Sequence, residues 1–211
     1  ADAFRSIGLD RREALWDAST QDKPLSLFDT QQSNKSEEGK ISLPKMSLSE
    51  HVVQDYATLG LSLKAHPVSF VREQLSSLHV TRNSDLSKAQ DGDIVKVAGL
   101  ILVRQRPGTA SGICFITLED ETGDANLVVF AKLFDEYRKE IIQSKLLMVE
   151  GKLQKEGEVI HVIVKRCFNV TGLLGKLTAS AELNLEVQRS RADETTSPFQ
   201  GKMFPDGRNF R

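Results

Sequence analysis

Two runs of β-forming residues joined by a short acidic turn constrain this chain more than any other feature. Residues 113–118 (Ile113, Cys114, Phe115, Ile116, Thr117, Leu118) are apolar, aromatic or β-branched. Asp120, Glu121, Thr122 and Gly123 carry turn chemistry, and a second strand pattern resumes at Ala125 with Leu127, Val128, Val129 and Phe130. A strand-turn-strand hairpin is the economical reading. Because successive strand residues face opposite ways, Cys114, Ile116 and Leu118 share one face and Phe115, Thr117 and Glu119 the other, and the first set makes the better core. Phe115 is therefore expected to face outward, the alternative being that it packs beneath a flanking helix.

The neighbouring patterns turn the hairpin into a fold. Upstream, the Asp91-Gly92-Asp93 turn releases a long β-branched run over 94–104, with Gly99 in its middle as the expected bulge or sharp bend. Downstream, Leu133, Phe134, Tyr137, Ile141 and Ile142 recur at helical spacing between Ala131 and Ser144, which predicts one short amphipathic helix. Two further strand patterns, 146–153 and 159–164, flank a polar loop over 154–158 that contains Gly157. Three strands, a helix and two strands is the order of the OB-fold, a Greek-key barrel whose middle strands and rim loops bind single-stranded nucleic acid. The expected class is mainly β with flanking helices: a five-stranded OB-fold Greek-key barrel over 91–170, preceded by short helices.

The segments around the barrel divide by their capping and breaking signals. In residues 1–20, Asp10 and Glu13 form a capping box ahead of Ala14, Leu15 and Trp16. Residues 21–46 are rich in Gln, Ser, Lys and Glu, contain Pro24 and Pro44, and read as a flexible linker. Residues 47–90 read as a helical segment packing on the barrel. Ser47 and Glu50 form its capping box, Val52, Val53, Tyr56 and Leu59 its apolar side, and Gly60 its stop. A second helix is expected from Pro67, burying Val68, Val71, Leu75 and Leu78. Residues 171–211 show little periodicity and read as a loosely ordered tail.

The net charge of −1 across 211 residues leaves no global electrostatic footprint for nucleic acid, so any contact must come from local cations. Arg104 and Arg106 flank Gln105 ahead of the 107–111 loop and are the first phosphate candidates; Lys152, Lys155, Lys165 and Arg166, near the fourth and fifth strands, are the others. Cys114 and Cys167 form no close pair and read as buried reduced thiols, and no apolar run spans a membrane, so a cytoplasmic location without membrane partners is expected. His66 and His161 lack metal-type spacing and read as structural, so neither a metal site nor a cofactor is expected. The first residue is Ala1 rather than methionine, as expected of a fragment.

Three separated segments carry a family resemblance: residues 2–16 (from Asp2 to Trp16), residues 55–67 (from Asp55 to Pro67) and residues 204–210 (from Phe204 to Phe210). Together with the barrel they resemble the C-terminal region of bacterial error-prone DNA polymerases, the family C, polymerase III alpha-type enzymes of SOS-induced translesion synthesis. The resemblance implies that residues 1–20 end a helix-hairpin-helix region and that the catalytic palm lies elsewhere, so the fragment alone is expected to be inactive. It implies a barrel that binds single-stranded template DNA without reading sequence. The hairpin is also similar to the anticodon-binding barrel of aspartyl-tRNA synthetases, whose pattern places a stacking Phe at Phe115 and a base-contacting Gln where this chain has Asn126. The shorter amide of Asn126 departs from base-specific reading. Pro24-Leu25-Ser26-Leu27-Phe28 is similar to the peptide by which bacterial polymerases hold the sliding clamp, with Leu25, Leu27 and Phe28 as its apolar anchors and Pro24 in place of a glutamine. The alternative function is accordingly a protein-interaction module docking the polymerase to the clamp or to mutasome accessory proteins.

Overall fold

A computed structural model of the chain describes residues 3–19, 43–109, 111–157, 159–175, 177 and 208–210. Five strands close a barrel: β1 (Ile94–Gln105), β2 (Cys114–Asp120), β3 (Gly123–Val129), β4 (Leu146–Glu156) and β5 (Val159–Asn169). β1 pairs antiparallel with both β2 and β4, β2 with β3, and β4 with β5, while β3 and β5 run parallel and shut the cylinder. The interior holds Val95, Val97, Ile101, Cys114, Ile116, Leu118, Leu127, Val149, Leu153, Val162, Val164 and Cys167, all from the inward register of their strands. Both cysteines are buried free thiols, and burial pushes the thiol of Cys167 up to about 12.

The register of β1 slips between Ile101 and Val103, and this bulge decides which side chains reach solvent. Before it, Ala98 and Leu100 point outward; after it, Val103 and Gln105 do, and Arg104 turns inward opposite Ile116. The expected irregularity at Gly99 therefore falls past the glycine. Gly99 serves a different need, since a Cβ there would lie 2.5 Å from the Glu119 carbonyl oxygen.

Two short helices, α4 (Ala131–Glu136) and α5 (Arg138–Gln143), replace the single predicted one and bury Phe134 and Ile141 against the barrel floor, while Ile142 stays exposed. The helical layer upstream comprises α1 (Arg11–Ser19), α2 (Leu48–Leu59) and α3 (Arg72–Ser77). Ser47 and Glu50 form a complete capping box on α2, and Gly60 ends it in the left-handed conformation. The helix expected from Pro67 begins as a 3-10 turn over Pro67–Val71 before α3, which leaves Leu78 exposed while Val68, Val71 and Leu75 are buried. These three join Val53, Ala98, Leu100, Leu146, Met148, Leu174 and Leu177 in a second core between the helices and the outside of β1 and β4. The N-terminal helix is fastened to α2 by ion pairs, Arg11 to Asp55 at 2.6 Å and Arg12 to Glu50 at 3.4 Å.

Part of the expected loose tail takes a defined place. Leu174 and Leu177 enter the second core, and β6 (Arg208–Phe210) pairs parallel with Val103–Gln105 at the free edge of β1. Among the described residues, no helix is long and apolar enough to cross a membrane.

Candidate nucleic-acid interface

The helical layer covers one side of the barrel exterior and leaves the β2–β3 side bare. What holds the bare side in place is the hairpin turn. The Asp120 carboxylate is 2% exposed and accepts four hydrogen bonds: from the Thr122 amide (2.7 Å) and hydroxyl (2.6 Å), the Asn83 amide (3.0 Å) and Arg72 Nη2 (2.9 Å). Arg72 also grips Glu121 through Nε and Nη2, each at 2.6 Å. A planar guanidinium bridging two carboxylates fixes direction as well as charge, so the hairpin is locked to the helical layer.

From that anchor, strand alternation lays out the interface in rows across the strands. Val103, Thr117, Asn126, His161 and Gln154 are successive cross-strand partners, and the adjacent row runs Gln105, Phe115, Val128, Ile163, Lys152. Phe115 is 38% exposed, and with Val103, Gln105, Thr117, Asn126 and His161 it lines a cleft of about 290 Å³. Asn126 also borders a second cleft of about 240 Å³ with Asn83, Ser84, Asp124 and Ile160, so the concavity continues past it. The Thr117 hydroxyl donates to Asn126 Oδ1 at 3.1 Å, which fixes the amide and leaves its two N–H donors for a ligand. An exposed ring beside fixed amide donors can stack a base and meet its edge.

Charge is graded along this surface. At the turn end Glu119 and Asp124 stand opposite each other, and burial, then Asp124 and Asp120, push the Glu119 carboxyl above its usual range. A phosphate backbone is repelled there. Lys152 stands exposed in the Phe115 row at the opposite side of the cleft.

The predicted site residues separate accordingly. Phe115, Thr117 and Asn126 come together, and Lys152 lies in their rows. Arg104 does not join them. It is 8% exposed and donates through Nη2 to the Ser144 carbonyl at 2.6 Å, because the bulge reverses the alternation that would have turned it outward. Arg106 sits over the Phe134 ring at 4.5 Å and donates to the Gly112 carbonyl, so its charge is spent bracing the rim loop on α4. Lys165 and Arg166 are exposed, but β5 slips register there and Arg166 lies opposite Glu150, a row beyond the cleft. Leu25, Leu27 and Phe28 lie outside the described residues. His161, which the sequence reading sets aside as structural, lies in the cleft; the inward Val162 and Val164 are the signal that its own position faces out.

Residues 89–170 match the family model of the OB-fold nucleic acid binding domain, tRNA anti-codon type. Over 187 residues the chain is 49% identical to error-prone DNA polymerase 1 of Rhizobium meliloti (strain 1021), covering 86% of this chain. This chain is homologous to a segment of the error-prone DNA polymerases. The error-prone DNA polymerase of Bradyrhizobium sp. (strain ORS 278) is 45% identical over an alignment of 227 residues that covers the whole of this chain. The chain spans only 17% and 19% of the lengths of these two polymerases. Among solved structures, a small single-stranded DNA binding protein from Mycoplasma pneumoniae aligns with 37% of this chain and 93% of its own, at 15% identity and a TM-score of 0.32.

Proposed function

We propose that this chain is the OB-fold module of an error-prone DNA polymerase and that it holds single-stranded template DNA on the β2–β3 face without sequence-specific reading. The observation that carries the reading is Phe115, more than a third exposed in a cleft of mixed apolar and polar lining beside the Thr117–Asn126 pair. A large aromatic left partly exposed near the start of a barrel strand, beside amide donors that are held in place, is a surface on which a base can stack. On this reading the parent enzyme carries out translesion synthesis in the cytoplasm, its nucleotidyl transfer is performed by carboxylates and metal ions elsewhere in the polymerase, and the module keeps template near them. Titration of a labelled oligonucleotide against salt tests it. Phe115→Ala is expected to weaken binding by about 1 to 3 kcal/mol with an unchanged salt slope, since stacking carries no charge. Equal affinities for the two proteins sink the reading.

A second reading, that the module docks the polymerase on partner proteins, draws on two observations. Arg104 and Arg106 are committed to the protein, and the segments ahead of the barrel expose Leu15 and Trp16 on α1, Ile7 before it and Leu63 in the bend after α2. Its linker component is tested with a peptide covering residues 20–32: saturable binding to the sliding clamp supports Leu25, Leu27 and Phe28 as anchors, and none removes them.

A further inference from the structure

We propose that His161 of β5 is a base-contacting residue of this interface, and that together with Asn126 it presents hydrogen-bond donors that favour bases bearing two carbonyl groups on one edge, thymine above all. The inference rests on single-strand binding at this face and departs from the reading above at one point, setting a modest base preference in place of indifference to sequence.

Three observations converge on the imidazole. Cross-strand register puts His161 next to Asn126, with Thr117 beyond it and Gln154 on the other side, so it stands between two amide side chains in its row. It lines the cleft that holds Phe115. Its Nδ1 is buried and has no hydrogen-bond partner. A neutral imidazole carries one donor and one acceptor, and an orphaned buried N–H costs more than an under-used acceptor lone pair. The proton therefore sits on Nε2, the distal ring nitrogen, and Nε2–H is the donor that His161 has for the cleft it lines.

Asn126 arrives at the same polarity by another route. The Thr117 hydroxyl occupies Oδ1, so what the amide offers is N–H. Neighbouring strands lie about 4.8 Å apart, which sets the spacing of two donor groups on adjacent strands. Thymine carries O2 and O4 as acceptors on either side of one ring edge, whereas adenine offers an amino donor on the corresponding edge. A base stacked on Phe115 with that edge toward β3 and β5 meets two donors if it is thymine and a donor clash if it is adenine. The Gln154 amide donates one N–H to Glu156 Oε1 at 2.6 Å, which ties that side chain to its own strand.

The test uses the full 211-residue chain and fluorescence anisotropy with labelled oligo-dT and oligo-dA at one fixed salt concentration. The wild type is expected to favour oligo-dT by about fivefold, the worth of one or two net hydrogen bonds. His161→Phe keeps an aromatic ring and loses the donor; it is expected to lower oligo-dT affinity about fivefold and to leave oligo-dA within about twofold, so that the preference disappears. Retention of the wild-type oligo-dT affinity and preference in His161→Phe overturns the proposal. Long-range nitrogen–proton NMR of the free protein gives a check that needs no DNA: Nε2–H is expected, and Nδ1–H overturns it. Phe115→Ala separates the two levels of the argument. If it weakens both oligonucleotides while the wild type shows no preference, single-strand binding stands and the role of His161 falls. If the wild type binds neither, both fall.

Discussion

The two exterior faces of the barrel come from the same strands and the same alternation, yet they meet opposite environments. On the covered face the outward residues are Ala98, Leu100, Leu146 and Met148, small or flexible apolar groups sealed under α2, the Pro67–Val71 turn and α3. On the bare face the outward residues are Phe115, Thr117, Asn126, Val128 and His161, one platform and several groups with hydrogen bonds to offer. The contrast teaches that exposure alone does not mark a binding surface: it is an exposed aromatic among polar neighbours whose partners have been used on one side only. Apolar burial is concentrated on the first face, and the proposed ligand contacts on the second.

Substitutions test this division, and the largest effect is expected at the link between the two faces. Arg72→Ala leaves the fully buried Asp120 carboxylate without its cation and frees the helical layer from the hairpin, at a cost of about 3 to 5 kcal/mol measured by chemical denaturation. Leu146→Ala on the covered face is expected to cost about 2 to 5 kcal/mol through a cavity in the second core, while oligonucleotide affinity of the folded fraction stays at the wild-type value. If instead it changes affinity, the two faces are coupled rather than separate. Thr117→Val on the bare face removes the hydroxyl that fixes Asn126; we expect single-strand binding about threefold weaker, with stability within about 1 kcal/mol of wild type. The smallest effect is expected at Glu119. Burial, then Asp124 and Asp120, raise its folded-state pKa, so its contribution to stability is complete below the unfolded value and is lost as pH rises through the raised one. Glu119→Gln removes that loss: thermal scans should show a slightly higher Tm at pH 7 and no gain below about pH 4.5. A lower Tm at neutral pH contradicts the assignment.

Much of the barrel was legible because its signals are local. The turn residues Asp120 to Gly123, the alternation of Cys114, Ile116 and Leu118, and the Ser47–Glu50 box each lie within a few positions of what they determine. Arg104 departs from its local pattern for the opposite reason. The slip between Ile101 and Val103 arises where β1 leaves β4 and joins β2, and barrel closure, which no run of β1 residues encodes, decides where that happens. The same holds for β5, whose pattern breaks at Val164 although the strand runs through a slip to Asn169, and for β6, which finds its edge across a hundred residues of chain. A lone histidine in a strand carries no spacing signal; the place of His161 in the cleft is visible only when Asn126 and Gln154 stand beside it.

The slip in β1 also governs where this protein tolerates changes of chain length. The loop from Pro107 to Ser111 can lengthen or shorten with little effect on what either face presents. Deleting Leu102 is tolerated in the same sense: it removes the doubled residue of the bulge and leaves Val103 and Gln105 facing out and Arg104 facing in, so what is lost is the bend of the strand rather than either face.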